Sequence, residues 1–231
     1  MSSIQTALEL CGVCLNIVLL VLLLRGFLPK YSILFAYNLA QFLITLIEKV
    51  LFQEAERGTR LYARVYWTAE VVWDFLLFLL VAVLIHQALA GRPERELARK
   101  ILIVVLVAVV VLPFILFHDR PQFDGRWFSG ASQVLNFGAA ILTLVLWGAL
   151  IASRNRDSHL MMVCAGLGLT VAGAALAWGI RQLAQGAGTA ESIRNVADLF
   201  AGLTYVIGLG LWCWAFRTAP QPSHAPSAPA T

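Results

Sequence analysis

The chain has 231 residues, of which 60% are hydrophobic and only 13% are charged, and its mean hydropathy is +0.79. A soluble domain carries about 25% charged residues, so this composition excludes an ordinary soluble protein and predicts a polytopic membrane protein. The formal charge of +4 therefore indicates no nucleic-acid partner, because basic residues of membrane proteins collect in loops near anionic headgroups.

Seven apolar segments follow one another along the chain, each near the ~20 residues that a helix needs to cross a bilayer. Short breaks that contain charged residues, Gly or Pro separate them, such as "GRPEREL" and "SRNRDSH". Lipid cannot satisfy exposed backbone groups, and these apolar runs show no alternation, so each segment is predicted to be a helix. The sequence thus predicts an all-α transmembrane bundle of seven helices, with spans at 6–28, 31–52, 64–89, 99–118, 130–152, 159–182 and 192–216.

The distribution of Lys and Arg predicts the orientation of the bundle. No basic residue precedes the first segment, whereas Arg25 and Lys30 follow it, and another cluster lies between the third and fourth segments. The positive-inside rule then predicts an outer N-terminus and a cytoplasmic C-terminus. We expect residues 1–217 to form a membrane domain in a bacterial inner membrane, without a cleaved signal. Residues 218–231, rich in Pro, Ala and Ser, are expected to be a disordered cytoplasmic tail.

Two of the predicted helices differ from the rest in composition. The fourth, "KILIVVLVAVVVLPFILF", is almost purely aliphatic, so it is expected to face lipid. The sixth, "VCAGLGLTVAGAALAWG", is rich in Gly and Ala, which let helix backbones approach closely, and is expected inside the bundle. Its Gly168–Ala172 pair also leaves open a protein partner or a homo-oligomer through helix six.

Glu70 and Asp74 lie one helical turn apart within the third apolar segment. A charged side chain costs ~2.5–3.5 kcal/mol at the centre of a span, so two carboxylates need solvation, a counter-charge or a proton. Arg181 or Lys49 is the expected counter-charge in a polar cavity of the outer half. Alternatively, one carboxyl keeps its proton, or both acids serve as interhelical hydrogen-bonding groups that only hold the bundle together. The candidate binding residues are Glu70, Asp74, Trp73, Arg181, Lys49, Asn136 and Asp198.

Catalytic, metal and cofactor sites find no support in the sequence. Cys11 and Cys14 form a "CGVC" pattern outside a strand–helix context, so they are expected to be buried small residues. The histidines show neither paired-helix nor box spacing, which argues against haem and di-iron sites. No Lys lies at the middle of helix seven, which excludes a retinal Schiff base. We therefore expect no enzyme activity, no metal and no cofactor.

Short aromatic motifs give one resemblance. "LFAYNLAQ" in helix two and "VYWTAE" at the start of helix three, at positions Phe35, Ala36, Tyr37, Tyr66, Trp67 and Glu70, resemble an uncharacterised family of seven-helix bacterial membrane proteins of the Acidobacteria type. The chain departs from that pattern late in helix three, where His86 and Gln87 replace an expected acidic residue. The resemblance implies a membrane location and no particular activity.

Two functional interpretations remain open at this point. The first is a non-enzymatic sensor or accessory module whose polar outer cavity binds a small molecule or a partner. The second is a small transporter or proton-coupled carrier in which Glu70 and Asp74 titrate. Three helices on either side of a linker helix are compatible with a carrier, but the two halves show no residue similarity.

Overall fold

The computed structural model describes residues 3–54, 60–93, 95–117, 125–153, 157–185 and 190–217. Within these ranges the chain is all-α with seven helices, which confirms the predicted fold class. Residues 218–231, the expected disordered tail, lie outside the described residues. The helices are α1 (Ser3–Leu24), α2 (Ser32–Glu54), α3 (Arg60–Ala88), α4 (Arg95–Leu116), α5 (Gly125–Ser153), α6 (Ser158–Gln185) and α7 (Ala190–Phe216).

The described part of the chain contains six helices that are long and apolar enough to cross a membrane, so the protein is a multi-pass membrane protein in contact with lipid. The remaining helix, α2, has 23 residues, and among the residues whose side chains the structure describes its apolar stretch is Ser32–Ile47. The side chains of residues 48 and 50–54 lie outside the described residues, so the apolar span at 31–52 stays a prediction. Glu48 and Lys49 interrupt the apolar run, although the helix itself continues to Glu54.

Six of the helices form a ring in chain order. Neighbours in this ring are α1 and α2, α2 and α3, α3 and α5, α5 and α6, α6 and α7, and finally α7 and α1. The α4 helix lies outside the ring against α5 and α3. Val109 and Pro113 are its buried residues, and most of its aliphatic side chains are exposed, which confirms its predicted outward position.

The closest helix pair is α6 with α7. A Cβ atom at Gly166 would lie 2.9 Å from the Gly208 carbonyl oxygen, and one at Gly173 would overlap the Thr204 side chain. The small residues of α6 therefore bring two backbones together within the chain, as expected for a helix inside the bundle. Gly168 faces Trp147 of α5, whereas Ala172 is exposed.

One end of the bundle, formed by residues 25–31, 86–95, 157–159 and 215–217, carries many basic side chains and is called the basic end below. Its helix ends are joined by several polar contacts. Lys30 Nζ lies 2.6 Å from Asp157 Oδ2, and Gln87 donates a hydrogen bond to the Lys30 carbonyl oxygen. His159 Nδ1 lies 2.6 Å from the carbonyl oxygen of Ala215. The opposite end, where α1 begins and α2 ends, is called the N-terminal end.

The interior changes character between the two ends. Towards the basic end it is closely packed and apolar, with side chains such as Leu23, Leu84 and Phe216 almost fully buried. Further from the basic end, beginning about 9 Å into α2, the inward faces carry polar residues on five helices. These are Asn16 on α1, Asn38 and Gln41 on α2, Asp74 on α3, Ser132 on α5 and Tyr205 on α7. This set is called the polar layer below.

Candidate functional site: a buried carboxyl in the polar layer

Asp74 is the buried acid of this region, with 6% of its surface exposed. It lies within the apolar stretch Val65–Ala88 of α3. The hydroxyl of Ser132 on α5 donates a hydrogen bond to Asp74 Oδ2, and the Asn136 amide, one turn further along α5, lies 3.5 Å from the same hydroxyl oxygen. The α3–α5 contact therefore places a carboxyl, a hydroxyl and an amide side by side in the membrane-spanning part of the bundle.

The described partner of Asp74 is a neutral group. Among the described residues no Lys or Arg forms an ion pair with it. Lys49, one of the two expected counter-charges, lies instead 3.9 Å from Glu9 of α1, and both side chains are about half exposed at the N-terminal end. The side chain of Arg181 lies outside the described residues, so its pairing with Asp74 stays a prediction.

The other predicted site residues are spread over the N-terminal half. Glu70 lies one turn from Asp74 on α3 and is half-buried. Asp198 is half-buried on α7, which packs against α1 and α6 rather than α3. Asn136 is exposed apart from its contact with Ser132. The structure therefore brings Asp74 and Asn136 together and leaves Lys49 and Asp198 away from them.

Three aromatic rings pack together on α2, α3 and α7, one of them next to Asp74 in the chain. Trp73 stacks on Tyr37 of α2 with their ring centroids 6.1 Å apart, and Trp212 of α7 meets the Tyr37 ring edge-on at 6.2 Å. Tyr37 and Trp212 are almost fully buried, and Trp212 donates a hydrogen bond to the Val163 carbonyl oxygen. These rings form a buried aromatic cluster whose members Tyr37 and Trp73 are the chain neighbours of the polar-layer residues Asn38 and Asp74.

Several polar-layer residues were missed as site residues by the sequence interpretation: Ser132, Asn16, Asn38, Gln41 and Tyr205. A signal for the α2 residues exists, because Asn38, Gln41 and Thr45 recur three and four residues apart and so share one helix face. Ser132 gave no such signal, because a single Ser in an apolar helix usually bonds its own backbone.

The described cysteines and histidines form no cluster with Asp74, although Cys213 Sγ of α7 lies 3.4 Å from the Leu15 carbonyl oxygen beside Asn16. Cys11 and Cys14 are exposed on α1, so the expectation that they are buried was wrong, because the "CGVC" pattern falls largely on the outward face of the helix. His86 and His159 both lie at the basic end. No group of three His, Cys, Asp or Glu side chains among the described residues could hold a metal ion.

Comparison with known proteins adds no family to this description: no protein-family model, curated protein or solved structure matches the chain. What stands is a seven-helix membrane protein with six membrane-length apolar helices among the described residues.

Proposed function

We propose that this protein is a non-enzymatic membrane module, a sensor or accessory subunit, whose polar layer binds a small molecule or a partner and in which Asp74 gains and loses a proton. The observation that carries the proposal is the buried Asp74 carboxyl with a neutral hydroxyl as its described partner. An ionised carboxylate at this depth costs ~2.5–3.5 kcal/mol, and a proton removes that cost without a cation. Binding or release of a proton then changes the Ser132 contact between α3 and α5.

The absence of a catalytic role is part of the same proposal. Asp74, Ser132 and Asn136 offer one carboxyl, one hydroxyl and one amide, and the described histidines lie at the other end of the bundle. Nucleophilic catalysis by a Ser usually requires an adjacent base that is held in place by a third group. The arrangement suits hydrogen bonding and proton exchange better than bond cleavage.

Infrared difference spectra between acidic and neutral pH test the protonation of Asp74. We expect a carboxyl C=O band that disappears in Asp74→Asn and shifts in Ser132→Ala, because the hydroxyl no longer bonds the carboxyl. Glu96→Gln serves as the matched control, since Glu96 is an exposed carboxylate that pairs with Arg99 at the basic end. Among the described residues Glu70 and Tyr37 are titratable neighbours of Asp74, so Glu70→Gln and Tyr37→Phe are recorded alongside. A band unchanged in Asp74→Asn would overturn the proposal.

A proton-coupled carrier is the second candidate, and the helix ring is the observation in its favour. The two halves α1–α3 and α5–α7 follow each other around the ring, with α4 outside as a connecting helix. Carriers built from two parallel three-helix repeats have this order of helices. Proteoliposomes with a trapped pH dye distinguish the two candidates. A carrier lets an imposed substrate or proton gradient decay and loses this activity in Asp74→Asn, whereas a sensor module shows the infrared band without such flux.

The location and orientation belong to the proposal as well. We propose a bacterial inner membrane, with the basic end in the cytoplasm and the N-terminal end outside, because basic residues near span ends favour the cytoplasmic side. In this orientation Asp74 and Ser132 lie on the outer side of the middle of their apolar spans, Val65–Ala88 and Gly130–Ile151.

A further inference from the structure

Two amide side chains of the polar layer are buried without full hydrogen bonding. Asn38 has no exposed surface and Asn16 is 3% exposed. The Asn38 Oδ1 and Asn16 Oδ1 atoms have no hydrogen-bond partner among the described residues, and Gln41 Oε1 is likewise buried without one. Buried polar atoms nearly always have a partner, and an unsatisfied one costs about 1–3 kcal/mol. The three oxygens therefore form a set of buried acceptors on two adjacent helices.

The buried hydroxyls of the same bundle behave differently. Thr143, Thr170 and Thr204 each donate to a backbone carbonyl of their own helix, three or four residues back. These hydroxyls can therefore be buried without a hydrogen-bond partner from another helix or from a ligand. The amides are distinct, because each of them keeps a buried oxygen without a partner among the described residues.

The orientation of the Asn38 amide follows from chemistry. Its Nδ2 donates to the Leu34 carbonyl oxygen at 2.8 Å, and a reversed amide would set two oxygens against each other. The unpartnered atom of Asn38 is thus an acceptor. Asn16 Nδ2 donates one long hydrogen bond, 3.4 Å, to the Tyr205 hydroxyl, which leaves Oδ1 as the atom without a described partner.

The three amides lie at similar depth on neighbouring helices. At 1.5 Å per residue, Asn38 lies about 9 Å and Gln41 about 14 Å beyond Ser32, the start of α2. Asn16 lies about 12 Å before Leu24, the end of α1, and the two helices are joined at the basic end by residues 25–31. The antiparallel α1 and α2 helices therefore present their amides within about 5 Å of one level.

We infer that the amides of Asn16, Asn38 and Gln41 bind a small monovalent cation, either an alkali metal ion or a primary ammonium group. Neutral carbonyl oxygens can replace the hydration shell of a monovalent cation, as they do for K⁺ in channel filters. A compact cation satisfies several acceptors at once, whereas a neutral hydroxyl brings a single donor. The lack of a described His, Cys, Asp or Glu triad argues against a transition metal at this position. The inference rests on the proposed binding role of the polar layer and gives its ligand a chemical class.

Cation-dependent thermal unfolding of the purified full chain in detergent tests this inference. The probes are NaCl, KCl and methylammonium chloride, each exchanged at constant ionic strength against the bulky N-methylglucamine chloride. We expect at least one probe to raise the unfolding temperature in a saturable way. Asn38→Leu removes one oxygen ligand of the cation and should raise the apparent Kd for that probe by about tenfold or more, which corresponds to a loss of about 1.4 kcal/mol of binding free energy. Asn195→Leu, which alters an exposed amide of α7, should leave the Kd unchanged.

A second variant guards against misfolding of Asn38→Leu. Asn38→Asp keeps an oxygen at the same position and should retain or strengthen cation binding. A metal ion is identified by a response to Na⁺ or K⁺, and an ammonium group by a response to methylammonium alone. Equal melting curves in all salts would overturn the inference, because buried water would then suffice for the amides. The Asp74 infrared band is an independent readout, so that result would leave the proposed proton site standing.

Discussion

At the start of α6, the two carboxylate oxygens of Asp157 bind different partners. Oδ1 accepts hydrogen bonds from the backbone N–H groups of His159 and Leu160, at 3.1 and 3.3 Å, which is the geometry of a helix N-cap. Oδ2 pairs with Lys30 of the α1–α2 connection at 2.6 Å. One residue therefore caps α6 and also joins the two halves of the ring at the basic end.

The two roles of Asp157 are separable by substitution. Asp157→Ala removes both and should lower the free energy of unfolding by about 1–2 kcal/mol. Asp157→Asn keeps a capping oxygen and loses only the half-exposed ion pair, so the expected loss is about 0–1 kcal/mol. Denaturant titration in detergent measures both values, and Lys30→Gln should cost as little as Asp157→Asn. Equal losses in the Ala and Asn variants would show that capping contributes nothing.

The same ion pair makes stability depend on pH. Partial burial alone would raise the pKa of Asp157, but the hydrogen bonds and positive charge of Lys30 and the two backbone N–H groups lower it below its ordinary value. A group with a lower pKa in the folded state stabilises the fold fully above its unfolded-state pKa, about 4. This contribution is lost as the pH falls through the folded-state pKa. The acid loss of stability should therefore be smaller in Asp157→Asn than in the parent chain.

At the scale of the helices, glycine positions determine how closely α6 and α7 approach. A Cβ at Gly166 would meet Trp212 Nε1 at 2.5 Å and the Gly208 carbonyl oxygen at 2.9 Å. A backbone carbonyl cannot move aside as a side chain can, so the helices themselves would have to separate. This helix pair is the most extensive interface in the described part of the ring, and its closeness depends on small residues rather than on interhelical ion pairs.

Gly166→Ala should accordingly destabilise the protein by about 1–3 kcal/mol, as overpacking does in a close-packed interior. Gly210→Ala is the matched control, because nothing lies within 4 Å of a Cβ at this position of α7. There the alanine should be neutral or stabilise the helix by up to about 1 kcal/mol. Unfolding in detergent under identical conditions compares the two variants. Equal behaviour of the two would mean that the α6–α7 contact is looser than described.

For the whole molecule, the sequence correctly predicted the all-α fold class, because the composition of a segment determines whether it enters lipid. It also predicted the positions of α4 and α6 relative to the interior of the bundle. It identified α4 as exposed and α6 as interior from their side chains. It did not predict that Ser132 reaches Asp74, since contacts between helices depend on rotation about each helix axis. The position of Lys49 beside Glu9 was missed for the same reason. The spacing of Glu70 and Asp74 on α3 does not indicate which neighbouring helix their shared face contacts.

Membrane orientation is the remaining property of the whole molecule that an experiment can decide. The basic end carries Arg25, Lys30, Arg92, Arg95 and Arg217, and basic residues near span ends are retained on the cytoplasmic side. We therefore expect a GFP fusion at Thr231 to fluoresce and a phosphatase fusion there to be inactive.

In a chain with its four cysteines replaced, Gly125→Cys should react with an impermeant maleimide from outside. The matched variant Ala90→Cys, at the basic end, should react only after the membrane is opened. Labelling of Gly125→Cys from the cytoplasmic side alone would reverse the orientation and would place the Asp74 carboxyl in the inner half of the bilayer.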